Sequence, residues 1–314
     1  MSIQCSKCVK PAVTYIRYNG SHLCKDHFKD YFERRVKKDL KKQGKTFNPS
    51  LIAIAFSGGK DSTVTVHILN ELFKSRRQVE IHAITVDEGI RGYRDESLKT
   101  AKETCRRLNI PHHVISFREV VGATMDEIAA VKDEVGECSY CGVFRRLCLN
   151  KKAKEIGADK LATGHNLDDV AQSILMNFVN NDLEKLARFG PHQRVKPGLI
   201  PRIMPLRTIP ENEVMLYAIL MNLDFHYAEC PYSTRALRGD FRGVIDLLEE
   251  KYPGTRHGIL NSYERLKGML QDQYGTGCLN TCSHCGEPTS QSTCKTCALL
   301  KRVKKMKNEK MSKQ

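Results

Sequence analysis

The stretch LIAIAFSGGKDSTVTVHIL, residues 51–69, decides how the rest of the chain is read. The apolar run from Leu51 to Phe56 reads as a buried strand, and the apolar-periodic segment after Lys60 reads as a helix. Between them lies Ser57-Gly58-Gly59. A strand, a glycine turn and a helix start bring free backbone N–H groups and a helix dipole to one point, which attracts an anion. Gly58 and Gly59 let backbone approach a phosphate closely. Lys60 adds charge, and Asp61 can hold the Mg²⁺ that neutralises a polyphosphate. The common G-x-x-x-x-G-K-[ST] spacing is absent, so this is a different phosphate loop.

Outward from this loop, strand-like runs at 51–56, 79–86, 113–117 and 160–163 alternate with helical segments near 61–74, 94–108, 142–156 and 168–181. That alternation predicts an α/β, doubly wound parallel sheet. In such a sheet ligands sit beyond the carboxyl ends of the strands. Residues 57–62, 87–92 and 164–169 all follow strands and are expected in one cleft. Residues 26–43 read as a helix, with Phe28, Phe32, Val36 and Leu40 every four residues and Gly44 past the end. Pro191, Pro197, Pro201, Pro205 and Pro210 predict a long extended connection near 190–210. Residues 211–222 and 243–273 read as helical.

The formal charge of +15 is uneven. Arg34, Arg35, Lys37, Lys38, Lys41, Lys42 and Lys45 face one acid, Asp39, and the tail from Lys301 to Gln314 holds seven basic residues and one Glu. Such runs are either solvated surface or the footprint of a polyanion. No apolar run approaches the roughly 18–20 residues of a membrane span, and the first residues carry no apolar signal core. A cytoplasmic protein is expected.

Thirteen cysteines in a reducing compartment point to metal rather than disulfides. Cys5-x-x-Cys8 followed by Cys24-x-x-His27 reads as one closed tetrahedral zinc site. Cys282-x-x-Cys285 with Cys294-x-x-Cys297 reads as a four-cysteine zinc ribbon, with Cys278 and His284 as bystanders. Cys105 reads as packed core. Cys138-x-x-Cys141 has no second knuckle, Cys148 should share its helix face, and Cys230 stands alone before Pro231. If Cys138, Cys141 and Cys230 converge they form a three-thiolate site with a vacancy; spacing alone does not decide it.

SGGKDS resembles the signature of the PP-loop ATP pyrophosphatases, which cleave ATP between its α- and β-phosphates. With GIRGYRDESL (89–98), CSYCGVFRR (138–146), TGHNLDDVAQ (163–172), ECP (229–231) and both zinc modules, the chain resembles the tRNA 2-thiouridine synthetases over nearly its whole length. That family contains the archaeal and eukaryotic wobble-uridine thiolases and the thermophile T-loop uridine thiolases. The resemblance implies a Rossmann-like PP-loop domain flanked by two small zinc-binding modules. It implies a [4Fe–4S] cluster on Cys138, Cys141 and Cys230 with one iron left open.

It also implies ATP, with Mg²⁺, at Ala55, Ser57, Gly58, Gly59, Lys60, Asp61, Ser62, Val86 and Gly164. Asp169 matches the family's catalytic aspartate; its other reading is a helix-start residue. Arg145 stands where relatives carry a lysine. Arginine can hold a phosphate but is a poor acid or base, so Arg145 is expected to bind phosphate and assist catalysis by charge.

The expected reaction is ATP-dependent 2-thiolation of a tRNA uridine at wobble position 34, with T-loop position 54 as the alternative, by adenylation of the C2 oxygen and sulfur transfer through the cluster. The sulfur comes from sulfide, a persulfide or a ubiquitin-like thiocarboxylate protein. Relatives often dimerise. Expected divisions are 1–46 (zinc finger and basic helix), 47–240 (catalytic), 241–275 (helical), 276–300 (zinc ribbon) and 301–314 (basic tail). The rivals are a tRNA 2-thiocytidine synthetase and a nonenzymatic zinc-ribbon tRNA-binding protein. The paired terminal modules argue against the first, and the intact SGGKDS and Asp169 against the second.

Overall fold

The computed structural model describes residues 3–44, 50–131, 135–192, 199–232, 238–275, 280–289 and 291–311. A hairpin of β1 (Thr14–Ile16) and β2 (Ser21–Leu23) leads into α1 (Lys25–Gln43). The central body runs β3 (Ser50–Ala55), α2 (Lys60–Phe73), β4 (Val79–Asp87), α3 (Arg94–Leu108), β5 (His112–Ser116), α4 (Phe117–Val121), α5 (Met125–Ala129), α6 (Glu137–Glu155), β6 (Lys160–Ala162), α7 (Leu167–Val179), α8 (Leu183–Ala187), β7 (Arg202–Ile203) and α9 (Glu211–Leu220). Then come α10 (Arg238–Lys251) and α11 (Thr255–Leu270), a hairpin of β8 (Asn280–Thr281) and β9 (Pro288–Thr289), and α12 (Lys295–Met311).

Among the described residues, five strands form one parallel sheet in the order β5-β4-β3-β6-β7. The chain steps outward from β3 to β5, then returns to β6 on the other side of β3. The crevice beyond the carboxyl ends of the strands at such a reversal is where open α/β sheets take ligands. The loop after β3 and the loop after β6 both open there.

The alternation along β3 explains why both faces are covered. Ile52 and Ile54 point into one core with Val64, Ile68 and Leu69 of α2 and Val214 and Tyr217 of α9. Ala53 points into the other, with Ile84 and Val86 of β4 and Phe144 and Leu149 of α6. Phe28, Phe32, Val36 and Leu40 dock α1 on the first core as its period of four requires. Leu299 and Val303 dock α12 on the second. Val170, Leu186, Leu260 and Tyr263 join α7, α8 and α11.

Three elements differ from expectation. The proline-rich connection contains β7, which pairs with β6 at the sheet edge, where a neighbouring proline removes no needed ladder bond. The stretch read as helical, 243–273, holds two helices, the first starting earlier, at Arg238, and the chain turns between them at Pro253-Gly254, Gly254 taking φ +102°. The helix expected from 142 starts at Glu137, so the Cys138-x-x-Cys141 pair lies in its first turns rather than before it. Lys45, Pro197 and Cys278 lie outside the described residues. No helix among the described residues is long and apolar enough to cross a membrane.

Candidate active site and metal centres

The loop after β3 is tied by its own side chains. Ser62 Oγ, one turn into α2, donates to the Gly59 carbonyl at 2.9 Å and lies 3.0 Å from Ser57 Oγ. Ser57 Oγ accepts from the Gly59 N–H at 3.3 Å. Gly58 has φ +82°, and a Cβ there would run into the Ser97 carbonyl oxygen. Gly164, after β6, packs on the same loop: a Cβ there would lie 3.0 Å from the Asp61 carbonyl carbon and the Ser62 nitrogen. The two glycines therefore let α3, the loop and the β6 loop close up, leaving the start of α2 free to take an anion.

Lys60 is mostly buried and pairs with Glu211 at 2.8 Å, a carboxylate it shares with Arg242. Asp61 Oδ1 lies 3.7 Å from Lys60 Nζ and accepts from the Asn166 side-chain amide at 3.2 Å. Burial pushes the Asp61 carboxyl up to about 6 against the pull of Lys60. Asn166 also caps α7: its Oδ1 accepts from the Asp169 N–H at 3.1 Å, and the Asp169 carboxylate accepts from the Asn166 N–H at 3.2 Å. Asp168, next along, is buried and pairs with Arg256 at 2.7 Å. The two adjacent acids thus do different work. Asp169 stays half-buried at the cleft, and Asp168 anchors α11. Ala55 ends β3, and Val86 is the last residue but one of β4, at the same edge of the sheet.

The lone cysteine reaches this cleft through backbone. The His226 N–H donates to the Gly58 carbonyl at 2.8 Å, and residue 226 forms a parallel bridge with Gly59. Four residues later, Cys230 packs beside Cys141 and Tyr232 on the second core. Cys138 Sγ donates to the Tyr232 carbonyl at 3.4 Å. The three thiols thus converge at the start of α6. Among the described residues they do not form a tight single-ion set, whereas the terminal groups do. Thiolates bound to three different irons stand farther apart than the ligands of one ion. Cys141 and Cys230, on an apolar wall that includes Tyr93, with the exposed Cys138 beside them, offer three thiol donors that a cluster could use.

Arg145, one turn after Cys141, donates to the Cys141 sulfur at 3.3 Å and pairs through Nε with Glu88 at 2.9 Å. Burial pushes the Cys105 and Cys148 thiols up to about 12, as befits packing residues.

At the N-terminus Cys5, Cys8, Cys24 and His27 place their ligand atoms within 4.8 Å of one another, as Cys282, Cys285, Cys294 and Cys297 do at the C-terminus. Cys8 and Cys24 sulfurs lie 3.8 Å apart, and Cys285 and Cys294 3.6 Å. A tetrahedron with metal–sulfur bonds of about 2.3 Å has edges of about 3.8 Å, so both sets fit one four-coordinate ion. The Cys294 N–H, 3.2 Å from the Cys282 sulfur, leads in lowering that thiol to about 6, followed by the His284 N–H. His284 acts through its backbone and is outside the ligand set.

Of the expected basic run, Arg34, Lys37, Lys38, Lys41 and Lys42 are exposed. Arg35 turns inward to Glu213 at 2.7 Å. Asp39, the one acid, is buried against Arg207 at 2.8 Å and offsets none of the surface charge. Lys301, Arg302, Lys304 and Lys305 are exposed on α12.

Four residues at the site were not singled out from sequence: Glu88, Arg94, Glu211 and His226. Glu88 directly follows Asp87 in a loop expected in the cleft, and Arg94 lies in GIRGYRDESL. The charge and the place were readable, but not the pairing. Glu211 and His226 carry no local signal.

The PP-loop domain pattern matches residues 29–246, and that of the 2-thiouridine synthetase TtuA N-terminal LIM domain matches residues 4–29. The tRNA 2-thiolation protein NcsA of Haloferax volcanii is 40% identical, covering 96% of this chain and 99% of its own. The chain belongs to the PP-loop tRNA 2-thiolation family. Within that family, the tRNA-5-methyluridine(54) 2-sulfurtransferase of Pyrococcus horikoshii is 35% identical, over 94% of this chain and 93% of that one. The structure of the U34-tRNA thiolase NcsA from Methanococcus maripaludis with its [4Fe–4S] cluster superposes with a TM-score of 0.83. It is 36% identical and covers 96% of this chain and 97% of that one.

Proposed function

We propose that the protein is an ATP-dependent tRNA uridine 2-sulfurtransferase. The observation that carries this is the joining of the glycine loop to the cysteine trio: the segment bearing Cys230 pairs by backbone with Gly58 and Gly59. Phosphate chemistry and sulfur chemistry then share one cleft.

ATP binds with its phosphates at Ser57–Ser62, on the free N–H groups at the start of α2, where Lys60 balances their charge and Ser62 shapes the turn. Ala55 and Val86 border the adenine, and Gly164 lets the nucleotide approach the β6 loop. Asp61 holds Mg²⁺. The C2 oxygen of the uridine attacks the α-phosphate. Pyrophosphate leaves, and the oxygen becomes part of an AMP leaving group. Asp169 orients the base or takes its proton. Arg145 holds the developing phosphate charge, a positioning and electrostatic task that arginine suits, and Mg²⁺ held by Asp61 would supply further positive charge there. Sulfide, or sulfur handed over by a thiocarboxylate-bearing ubiquitin-like protein, then replaces oxygen at C2, and AMP leaves with that oxygen. A [4Fe–4S] cluster on Cys138, Cys141 and Cys230 supplies an open iron for the sulfur. Zinc at the two terminal sites folds segments too short to build their own cores. Those modules, with the exposed basic faces of α1 and α12, grip the tRNA. The target base leaves its stack to reach the cleft. Free thiols throughout the described residues suit a reducing, cytoplasmic setting.

The wobble uridine is the favoured target, supported by likeness to the Methanococcus maripaludis U34-tRNA thiolase. The T-loop uridine is the second reading, supported by the N-terminal LIM match and the Pyrococcus horikoshii relative. Cys230→Ala separates these chemistries from mere tRNA binding. Thiolation is expected to vanish while tRNA affinity stays within twofold. Full thiolation by the variant would remove Cys230 from the reaction.

A further inference from the structure

Glu88 is fully buried just beyond β4 and carries two guanidiniums. Its Oε2 lies 2.5 Å from Arg94 Nη2, and its Oε1 lies 2.9 Å from Arg145 Nε. Arg94 is itself buried, and its other nitrogen donates to the Ser57 carbonyl and to Ser97 Oγ, each at 3.1 Å. Arg145 donates to the Cys141 sulfur at 3.3 Å. A continuous polar chain therefore runs from the phosphate loop through Arg94, Glu88 and Arg145 to a cysteine of the trio. Its centre is dry, so its charges act on one another with little screening by water.

One carboxylate facing two guanidiniums leaves one positive charge over. Arg94 cannot take that surplus to solvent. The Arg145 side chain is 47% exposed and lies against the Cys141 sulfur. Anything that moves the Ser57 carbonyl changes the Arg94–Glu88 contact, and so how much of Arg145 Glu88 holds.

We propose that Glu88 is a positioning residue that couples the ATP loop to the cysteine trio by sharing itself between Arg94 and Arg145. It touches neither nucleotide nor sulfur. It sets how firmly Arg145 leans on Cys141 and makes that setting depend on the occupancy of the loop. By linkage the effect is reciprocal: the redox state of a cluster on the trio alters nucleotide affinity by the same factor. The inference rests on the cluster and ATP assignments of the proposed function.

The test is a potential, measured on the reconstituted full chain with and without Mg²⁺ and a nonhydrolysable ATP analogue. In the unsubstituted protein the analogue is expected to shift the cluster's midpoint potential. Glu88→Gln removes a negative charge while keeping shape. It is expected to raise the baseline potential and to abolish the analogue-dependent shift, with both ligands still bound. Arg94→Lys keeps its charge but cannot span both partners. It is expected to leave the baseline near that of the unsubstituted chain and lose the shift. A shift of unchanged size in either variant overturns the proposal. A full chain that takes up neither cluster nor nucleotide overturns the functional reading as well.

Discussion

Gly58 sits at φ +82°, and a side chain there would collide with the Ser97 carbonyl oxygen. Alanine in that left-handed region costs about 1–2 kcal/mol before any clash is counted. Gly58→Ala is therefore expected to lower the melting temperature and to cost most of the ATP affinity, since the loop must back away from α3. A variant with an unchanged melting temperature and ATP affinity would show that the loop tolerates a side chain. The glycine was legible from sequence as a turn residue, but Ser97 as the reason was not: it lies in another helix. The same holds for Asp169. Its place after a strand was readable. Its capping bond with Asn166, and the amide Asn166 lends to Asp61, needed the fold.

At the scale of elements, strands and helices with a clear period were legible to within a residue or two, as β3 and α1 illustrate. Elements whose form depends on partners were not. The two-residue β7 exists only because β6 offers it an edge. The start of α6 carries Cys138 and Cys141 in a poor helix sequence, and it is held by packing of Tyr140 and Phe144 in the second core. The junction of α1, α9 and α11 is likewise a matter of contacts. There Arg35 of α1 pairs with Glu213 and lies 2.9 Å from His257 Nε2, with the Tyr18 ring tilted against the imidazole, centroids 4.4 Å apart.

Burial and then the Arg35 charge lower His257 from 6.5 to about 4, while Glu249 opposes them. The folded state binds this proton less well than the unfolded chain. The stability it protects is whole above about pH 6.5 and is lost as pH falls toward 4, a loss of about 2–3 kcal/mol. Denaturant titrations between pH 7 and 4 should show this slope, and His257→Gln should flatten it. An equal slope in the variant would place the acid sensitivity elsewhere.

At the scale of the whole molecule, two metal modules and two basic helices flank one catalytic sheet. Asp39, the one acid in the basic run of α1, is buried with Arg207. tRNA binding should therefore weaken steeply with salt. Replacing Lys37, Lys38 and Lys41 together by alanine should flatten the slope of log affinity against log salt by about 2. An unchanged slope would take α1 out of the interface. α12 crosses from the C-terminal metal module onto α6, so the module rests directly on the helix that carries two cysteines of the trio.

The most direct measurement is made without oxygen. Iron-reconstituted full-length protein is incubated with unmodified tRNA, Mg-ATP and sulfide, and the digested tRNA is examined by mass spectrometry. The expected result is 2-thiouridine in the anticodon fragment, dependent on ATP. No thiolated nucleoside despite sound iron content and tRNA binding, or 2-thiocytidine in its place, would contradict uridine 2-thiolation by this chain.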